Sequence, residues 1–218
     1  MGLEIRRLHL ASLQGVDGAR WPVHGFVVMH PKGCILVDTG VGGPERYLTD
    51  WRVVNRTAAE ALGEHDLVPG DISMVVNTHL HFDHCGQNAV FRHAPFYVQR
   101  SELERARRDA RQLADWFDFA GARFELLDGD AEVAPGVRVV ATPGHTVGHQ
   151  SVVVEGDGEE VLIGDAAYTP AIYGDPDQPE LPRGQASDRE AWGASLRRLQ
   201  ASRPRHVHFC HNTAIVHG

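Results

Sequence analysis

Cysteine is scarce in this sequence: Cys34, Cys85 and Cys210 are odd in number and widely spaced. They make no disulfide framework, and a reducing compartment, the cytoplasm, is expected. Positive charge is short as well. With 21 basic against 29 acidic residues the net charge is −8, which argues against a nucleic-acid backbone or an anionic membrane as main partner. No apolar run approaches the length that spans a bilayer. Residues 1–6 lack the basic-then-apolar order of a signal peptide, and Arg6 spoils a myristoylation match. Internal repeats and low-complexity linkers are missing too. What remains is 218 residues, 42% hydrophobic and 23% charged, enough to bury a core and unlike disordered, collagenous or coiled-coil chains. A single α/β domain over residues 1–218 is expected.

Strand and helix patterns alternate along the chain. Residues 3–13 alternate polar and apolar, as an exposed strand would, and 25–29 with 34–37 read as a hairpin about Pro31-Lys32-Gly33. Residues 57–62 look helical, and 72–76 form a short apolar run suited to a buried strand. A strand at 96–98 precedes a helix that Ser101 and Glu104 would cap as a capping box, running to about Trp116. Strands follow near 124–127 and 137–141, and 150–154 pairs with 160–163 across Asp157-Gly158. Four prolines in 168–183 predict an irregular loop. Ser187 or Asp188 caps a last helix at 190–199, and 206–209 is the final strand.

Histidine is in excess. There are 14, and eight of them (His79, His81, His84, His145, His149, His206, His208, His211) crowd into three short segments. Imidazole is the commonest metal ligand, so such clustering points toward metal chemistry. The run Asn77-Thr78-His79-Leu80-His81-Phe82-Asp83-His84-Cys85-Gly86 follows a strand, where α/β sheets place their sites. Side chains two apart in an extended segment share a face, so His79 and His81 point the same way; Asp83 and His84 reach a second position as the chain turns. In Thr142-Pro143-Gly144-His145-Thr146-Val147-Gly148-His149 a tight turn presents His145 as a ligand, with His149 as an outer or core hydrogen-bonding residue. Asp165, again just after a strand, reads as a carboxylate bridging two cations. Alternation puts His206 and His208 on one strand face, while His211 stands beyond the strand end.

These segments resemble those of the metallo-β-lactamase superfamily: HxHxDH, a histidine in a TPGHTxGH turn, an aspartate after a strand and a final histidine, with Ile35-Leu36-Val37-Asp38-Thr39-Gly40 upstream. Within it they look most like the N-acyl-homoserine lactonases, the quorum-quenching enzymes. In Asp165-Ala166-Ala167-Tyr168 the tyrosine stands three residues after the aspartate, as the catalytic tyrosine does there. The resemblance implies an αβ/βα four-layer sandwich and two divalent transition-metal ions, most simply zinc, with iron, manganese or cobalt as alternatives. His79, His81 and His145 would hold one; Asp83, His84 and His211 the other; Asp165 would bridge them. A metal-bridging hydroxide would then attack a lactone ester, with Tyr168 stabilising the oxyanion and Asp83 passing a proton to the leaving alkoxide. Asp38 would steady a ligand histidine, and Phe82, Tyr47, Trp51, Ile172 and Tyr173 would line an apolar groove for the acyl group of a small-molecule substrate.

Two features depart from the family pattern. Cys210 and Asn212 flank His211 where the family usually has glycine and aspartate, and only seven residues follow, so a substrate wall built differently is expected. Bridging Asp165 and His81 argue against two relatives, since β-lactamases of this fold generally lack that aspartate and di-iron flavoproteins carry glutamate at the position of His81. Thioester hydrolysis of the glyoxalase II kind, phosphodiester hydrolysis and, at greater distance, a mono-iron sulfur dioxygenase are the alternatives.

Overall fold

A computed structural model describes residues 2–15, 17–109 and 116–217. The first half of the chain supplies β1 (Glu4–Gln14), β2 (Arg20–Met29), β3 (Cys34–Val37), β4 (Val54–Asn55), β5 (Ile72–Val76), β6 (Phe96–Gln99) and β7 (Phe124–Leu127). They form one mixed sheet in the order β4-β1-β2-β3-β5-β6-β7. The second half supplies β8 (Ala131–Ala134), β9 (Val137–Ala141), β10 (Gln150–Glu155), β11 (Glu159–Leu162), β12 (His206–His208) and β13 (Ile215–His217), in the order β13-β12-β11-β10-β9-β8.

The two sheets face each other through one apolar layer, in which Phe26, Val28, Ile35, Val37 and Val76 meet Val137, Val139, Val152, Val154 and Leu162. Because β3 is covered on both faces, Cys34–Val37 reads as a continuous apolar run rather than an alternating one, and the same holds for the Val75-Val76 end of β5 and the Val152-Val153-Val154 centre of β10. On the outer face of the first sheet lies α2 (Ala58–Gly63), whose Ala58, Ala61 and Leu62 pack on Leu8, Leu10 and Leu36. On the outer face of the second lies α6 (Arg189–Ala201), packing Trp192, Leu196 and Leu199 on Val153, Val161 and Val207. The result is the four-layer αβ/βα sandwich. Short helices α1 (Glu45–Asp50), α3 (Phe82–Cys85), α4 (Arg100–Arg108) and α5 (Pro170–Gly174) fill the connections. No helix among the described residues is long and apolar enough to cross a membrane, and Cys34, Cys85 and Cys210 are buried and unbonded to one another.

Several local expectations need correction. The β1 strand is an inner one between β2 and β4, with Leu8, Leu10 and Leu13 buried. Ser101 does not cap α4: Gln99 holds the N-cap position, and Glu104 reaches forward to Arg108 on the exposed face. The expected continuation toward Trp116 falls on 110–115, outside the described residues. A genuine capping box occurs instead at Thr57, which exchanges bonds with Glu60. Within the proline-rich stretch, Thr169 caps the one-turn helix α5, because Pro170 suits a first helical position. β12 is followed by β13, which pairs with it antiparallel.

One close approach draws the loop after β3 against the loop after β5. Gly42 N–H donates to Phe82 O and Gly86 N–H to Gly40 O, and a Cβ on Gly86 would overlap Gly42 N and Phe82 O. Gly86→Ala should therefore destabilise by about 2–3 kcal/mol, a drop of roughly 4–12 °C for a domain of this size. Gly63→Ala meets nothing within 4 Å and should be neutral or slightly stabilising. Thermal melts of the two variants side by side check the contrast; a Gly86→Ala protein melting like the parent would contradict the packing described.

Candidate metal centre

Every segment singled out by its histidines leaves the carboxyl end of a strand on the same edge of the sandwich. Asp38 follows β3, residues 77–86 follow β5, 142–149 follow β9, 163–168 follow β11 and 209–211 follow β12. Parallel β3–β5 and β11–β12 pairs, with β9 running alongside β11 across β10, give these ends a common direction.

His79, His81 and His145 converge. His79 Nε2 lies 2.9 Å from His81 Nδ1, and His145 Nε2 lies 3.2 Å and 3.1 Å from those same two atoms. Four donors placed tetrahedrally at 2.0–2.1 Å from zinc stand about 3.3 Å apart, so this triangle is sized for one ion. His84 and His211 form a second focus beside it. Asp83 Oδ2 is 3.8 Å from His84 Nε2 and 3.5 Å from His211 Nε2. Asp165 sits between: Oδ1 is 3.3 Å from both His84 Nε2 and His211 Nε2, while Oδ2 is 3.5 Å from His145 Nε2 and 3.9 Å from His79 Nε2.

A dry site of this kind should not be left unpaired, yet His84 Nε2 and Asp165 Oδ1 are buried without a hydrogen bond. Burial, reinforced by neighbouring histidines, holds His79 and His81 well below the ordinary imidazole range, so their lone pairs are free for a cation. At His211 burial works the other way from its neighbours, and Cys210, Asp165 and Asp83 win, raising it to about 10. His84 is likewise raised, by Asp165, Cys210, Asp83 and Asp38 against its burial. The second focus therefore attracts positive charge and the first offers neutral nitrogen donors. Both suit divalent transition metals.

Outer hydrogen bonds hold these rings in place. Asp38 Oδ2 accepts from His84 Nδ1 at 2.8 Å, as expected, and both its oxygens also accept from Thr78. The Asp38 backbone adopts φ 60°, an uncommon conformation for a residue with a side chain. His149 is no ligand: its Nε2 accepts the Asp165 N–H at 3.0 Å and its Nδ1 meets Thr142 Oγ1 at 2.9 Å. Burial keeps it neutral, pushed down to about 3. Gln185 escaped sequence reading altogether. Its amide donates to Asp165 O at 2.7 Å, its Oε1 accepts from Tyr168 N–H, and its backbone carbonyl takes His145 Nδ1–H. No spacing rule marks a glutamine beyond a proline-rich loop. Cys210 donates to His24 O at 3.1 Å and stands 4.0 Å behind His84 Nδ1. His206 and His208 lie elsewhere, both paired with Glu160.

A cleft of about 610 Å³ opens from His81 and His145, lined by Tyr47, Trp51, Phe82 and Trp116. A smaller pocket of about 160 Å³ joins it over Asp83, Asp165, Tyr168 and His211, with Trp21 as a further wall. Ile172 and Tyr173 do not line it. They belong to the core beneath, packed with Trp192 and Phe209, because the turn of α5 rotates them inward. The Tyr168 ring stands between His145 and His211, its centroid 5.9 Å and 5.5 Å from theirs. Burial, then Asp165 and Asp83, push its hydroxyl well above the ordinary phenol range, so it remains a donor.

Comparison with known proteins agrees with this geometry. An N-acyl homoserine lactonase of Bacillus cereus is 33% identical over 196 residues, 82% of this chain and 75% of that protein. One of Bacillus sp. is 35% identical over 165 residues, 68% of this chain; the match spans just under two thirds, 65%, of that protein. The solved structure of an N-acyl homoserine lactone hydrolase with the product N-hexanoyl-L-homoserine bound at its catalytic metal center superposes with a TM-score of 0.80 at 25% identity, covering 97% of this chain and 93% of that one. Residues 18–211, which contain every ligand candidate, match the Metallo-beta-lactamase superfamily, and the chain belongs to it.

Proposed function

We propose that this protein opens a lactone ring by hydrolysis, with N-acyl-homoserine lactones as substrates and two divalent cations, most simply zinc, as cofactors. The observation that carries the reading is the divided carboxylate of Asp165, one oxygen toward His84 and His211 and the other toward His79 and His145. His79, His81 and His145 would hold one cation and Asp83, His84 and His211 the other. When bound, such a pair lowers the pKa of a shared water toward neutrality and polarises the ester carbonyl.

The chain's own groups do the rest. Tyr168, fixed through its backbone N–H to Gln185, donates a hydrogen bond to the carbonyl oxygen as that oxygen gains charge. Asp83 faces the pocket from the first turn of α3 and would hand to the departing alkoxide the proton that the attacking water gives up. Trp51, Phe82, Tyr47 and Trp116 take the acyl chain and exclude water from it. The four aromatic walls of the cleft and the phenol favour the lactone over a phosphodiester, and a second donor set beside the first favours two ions over the single iron of a sulfur dioxygenase.

Tyr168→Phe keeps the ring and removes one donor. Its kcat/KM on acyl-homoserine lactones should fall by about 10²–10³-fold with metal content unchanged. Initial rates on a panel of lactones, thioesters and phosphodiesters check both points; unchanged lactonase rates in the variant, or none in the metal-replete parent, would sink the assignment. Metal analysis should return two ions per chain. His211→Ala should lower that to one, whereas His206→Ala, which loses the Glu160 pairing and the ring contact with His217 away from the centre, should keep two and lose at most about 1 kcal/mol of stability. A His206→Ala protein short of metal would overturn the ligand set.

A further inference from the structure

Glu102 lies in the first turn of α4, fully buried, and the sequence pattern gave it no role. Its carboxylate is surrounded by donors. Oε1 accepts the Leu80 N–H at 2.9 Å and Arg105 Nη2 at 2.6 Å. Oε2 accepts the Thr146 hydroxyl at 2.7 Å, the Gly148 N–H at 3.3 Å and Arg105 Nε at 3.3 Å. Burial of a carboxylate is tolerable only with such full pairing.

The identity of those donors matters more than their number. Leu80 is the residue between His79 and His81. Thr146 follows His145, and Gly148 precedes His149, which in turn holds the Asp165 N–H. One carboxylate therefore ties the β5 loop to the β9 loop, the two segments whose ring nitrogens converge. A side chain on Gly148 would run into the Glu102 backbone, so the start of α4 is pressed directly against the turn. The second focus has other supports: Asp38 for His84, and Pro22 O for His211 Nδ1.

We propose that Glu102 is a positioning residue: it sets the spacing between His79/His81 and His145 and thereby, first of all, the affinity of that cation. This rests on the reading that those three histidines hold a cation. With the loops tied in advance, binding does not have to order them; without the tie, the three nitrogens lose their common focus. Outer partners of this kind are worth about 10–100-fold in metal affinity.

The test is a zinc titration of the metal-free protein against a competing chelator, with the melting temperature read in both forms. Glu102→Gln keeps the shape and removes the charge that gathers Arg105, Thr146 and Gly148. Introduced into His211→Ala, where one ion remains, it should weaken that ion about 10–100-fold. Introduced into His145→Ala, it should weaken the remaining ion at least several-fold less, since Glu102 reaches that ion only through Gly148, His149 and the Asp165 backbone. The rise in melting temperature on zinc loading should shrink more than the metal-free form loses. Equal weakening of both ions, or equal loss of melting temperature with and without zinc, would make Glu102 merely structural and overturn the proposal. Should Glu102→Gln not fold, Thr146→Val removes a single donor and should weaken the same ion; unchanged affinity there also overturns it. A parent protein that binds no zinc would sink the metal reading and this inference with it, whereas a parent holding two ions with Glu102→Gln unchanged removes the inference alone.

Discussion

A carboxylate buried among four imidazole nitrogens is the constraint on which the rest of this structure depends. Asp165 is 3% exposed, and both of its oxygens face histidines from other segments. A charge so far from water is costly unless matched within a few ångströms. The match has to come from His79, His84, His145 and His211, so three loops must arrive at the one that carries Asp165. Much of the surrounding polar structure secures that arrival. His149 and Gln185 fix the backbone on which Asp165 stands, and Trp192 Nε1–H to Ala166 O anchors the same turn to α6.

Strain is accepted for the same end. Asp38 turns at φ 60° so that one side chain can accept from Thr78 twice and from His84 once. Such a backbone costs of the order of 1 kcal/mol and persists only where its neighbours over-determine it. Here the neighbours include Gly25, where any side chain would crowd Asp38 O. The glycine on β2 and the strained aspartate after β3 are two ends of one packing requirement.

The metal-facing residues were legible because ligand chemistry leaves dense, short-range marks. HxHxDH spans six residues, and its spacing alone puts His79 and His81 on a common focus. The buried centres of the strands were legible too, since β3 is an unbroken apolar run and β5 and β10 carry Val75-Val76 and Val152-Val153-Val154. What stayed hidden has long-range causes. Gln185 and Glu102 owe their roles to partners 17 to 46 residues away, and no local pattern encodes such partners. Tyr173 and Ile172 were misplaced because aromatic and aliphatic side chains suit a groove or a core equally; only the turn of α5 decides between them. Helix starts were misread where Ser101-Glu104 imitated a capping box that Gln99 pre-empts.

The candidate ligand histidines come from both sheets, and this would make any bound ion a cross-link. His79 and His145 are 66 residues apart in sequence and belong to opposite halves of the sandwich. Tying a loop of that length reduces the freedom of the unfolded chain by the equivalent of about 4 kcal/mol on the loop-closure account used for disulfides. The protein has three buried thiols and no sulfur bridge, so its covalent chain contains no such tether. The centre that would break the ester would also be the rivet between the two layers, and stripping it would loosen the architecture as well as silence the chemistry.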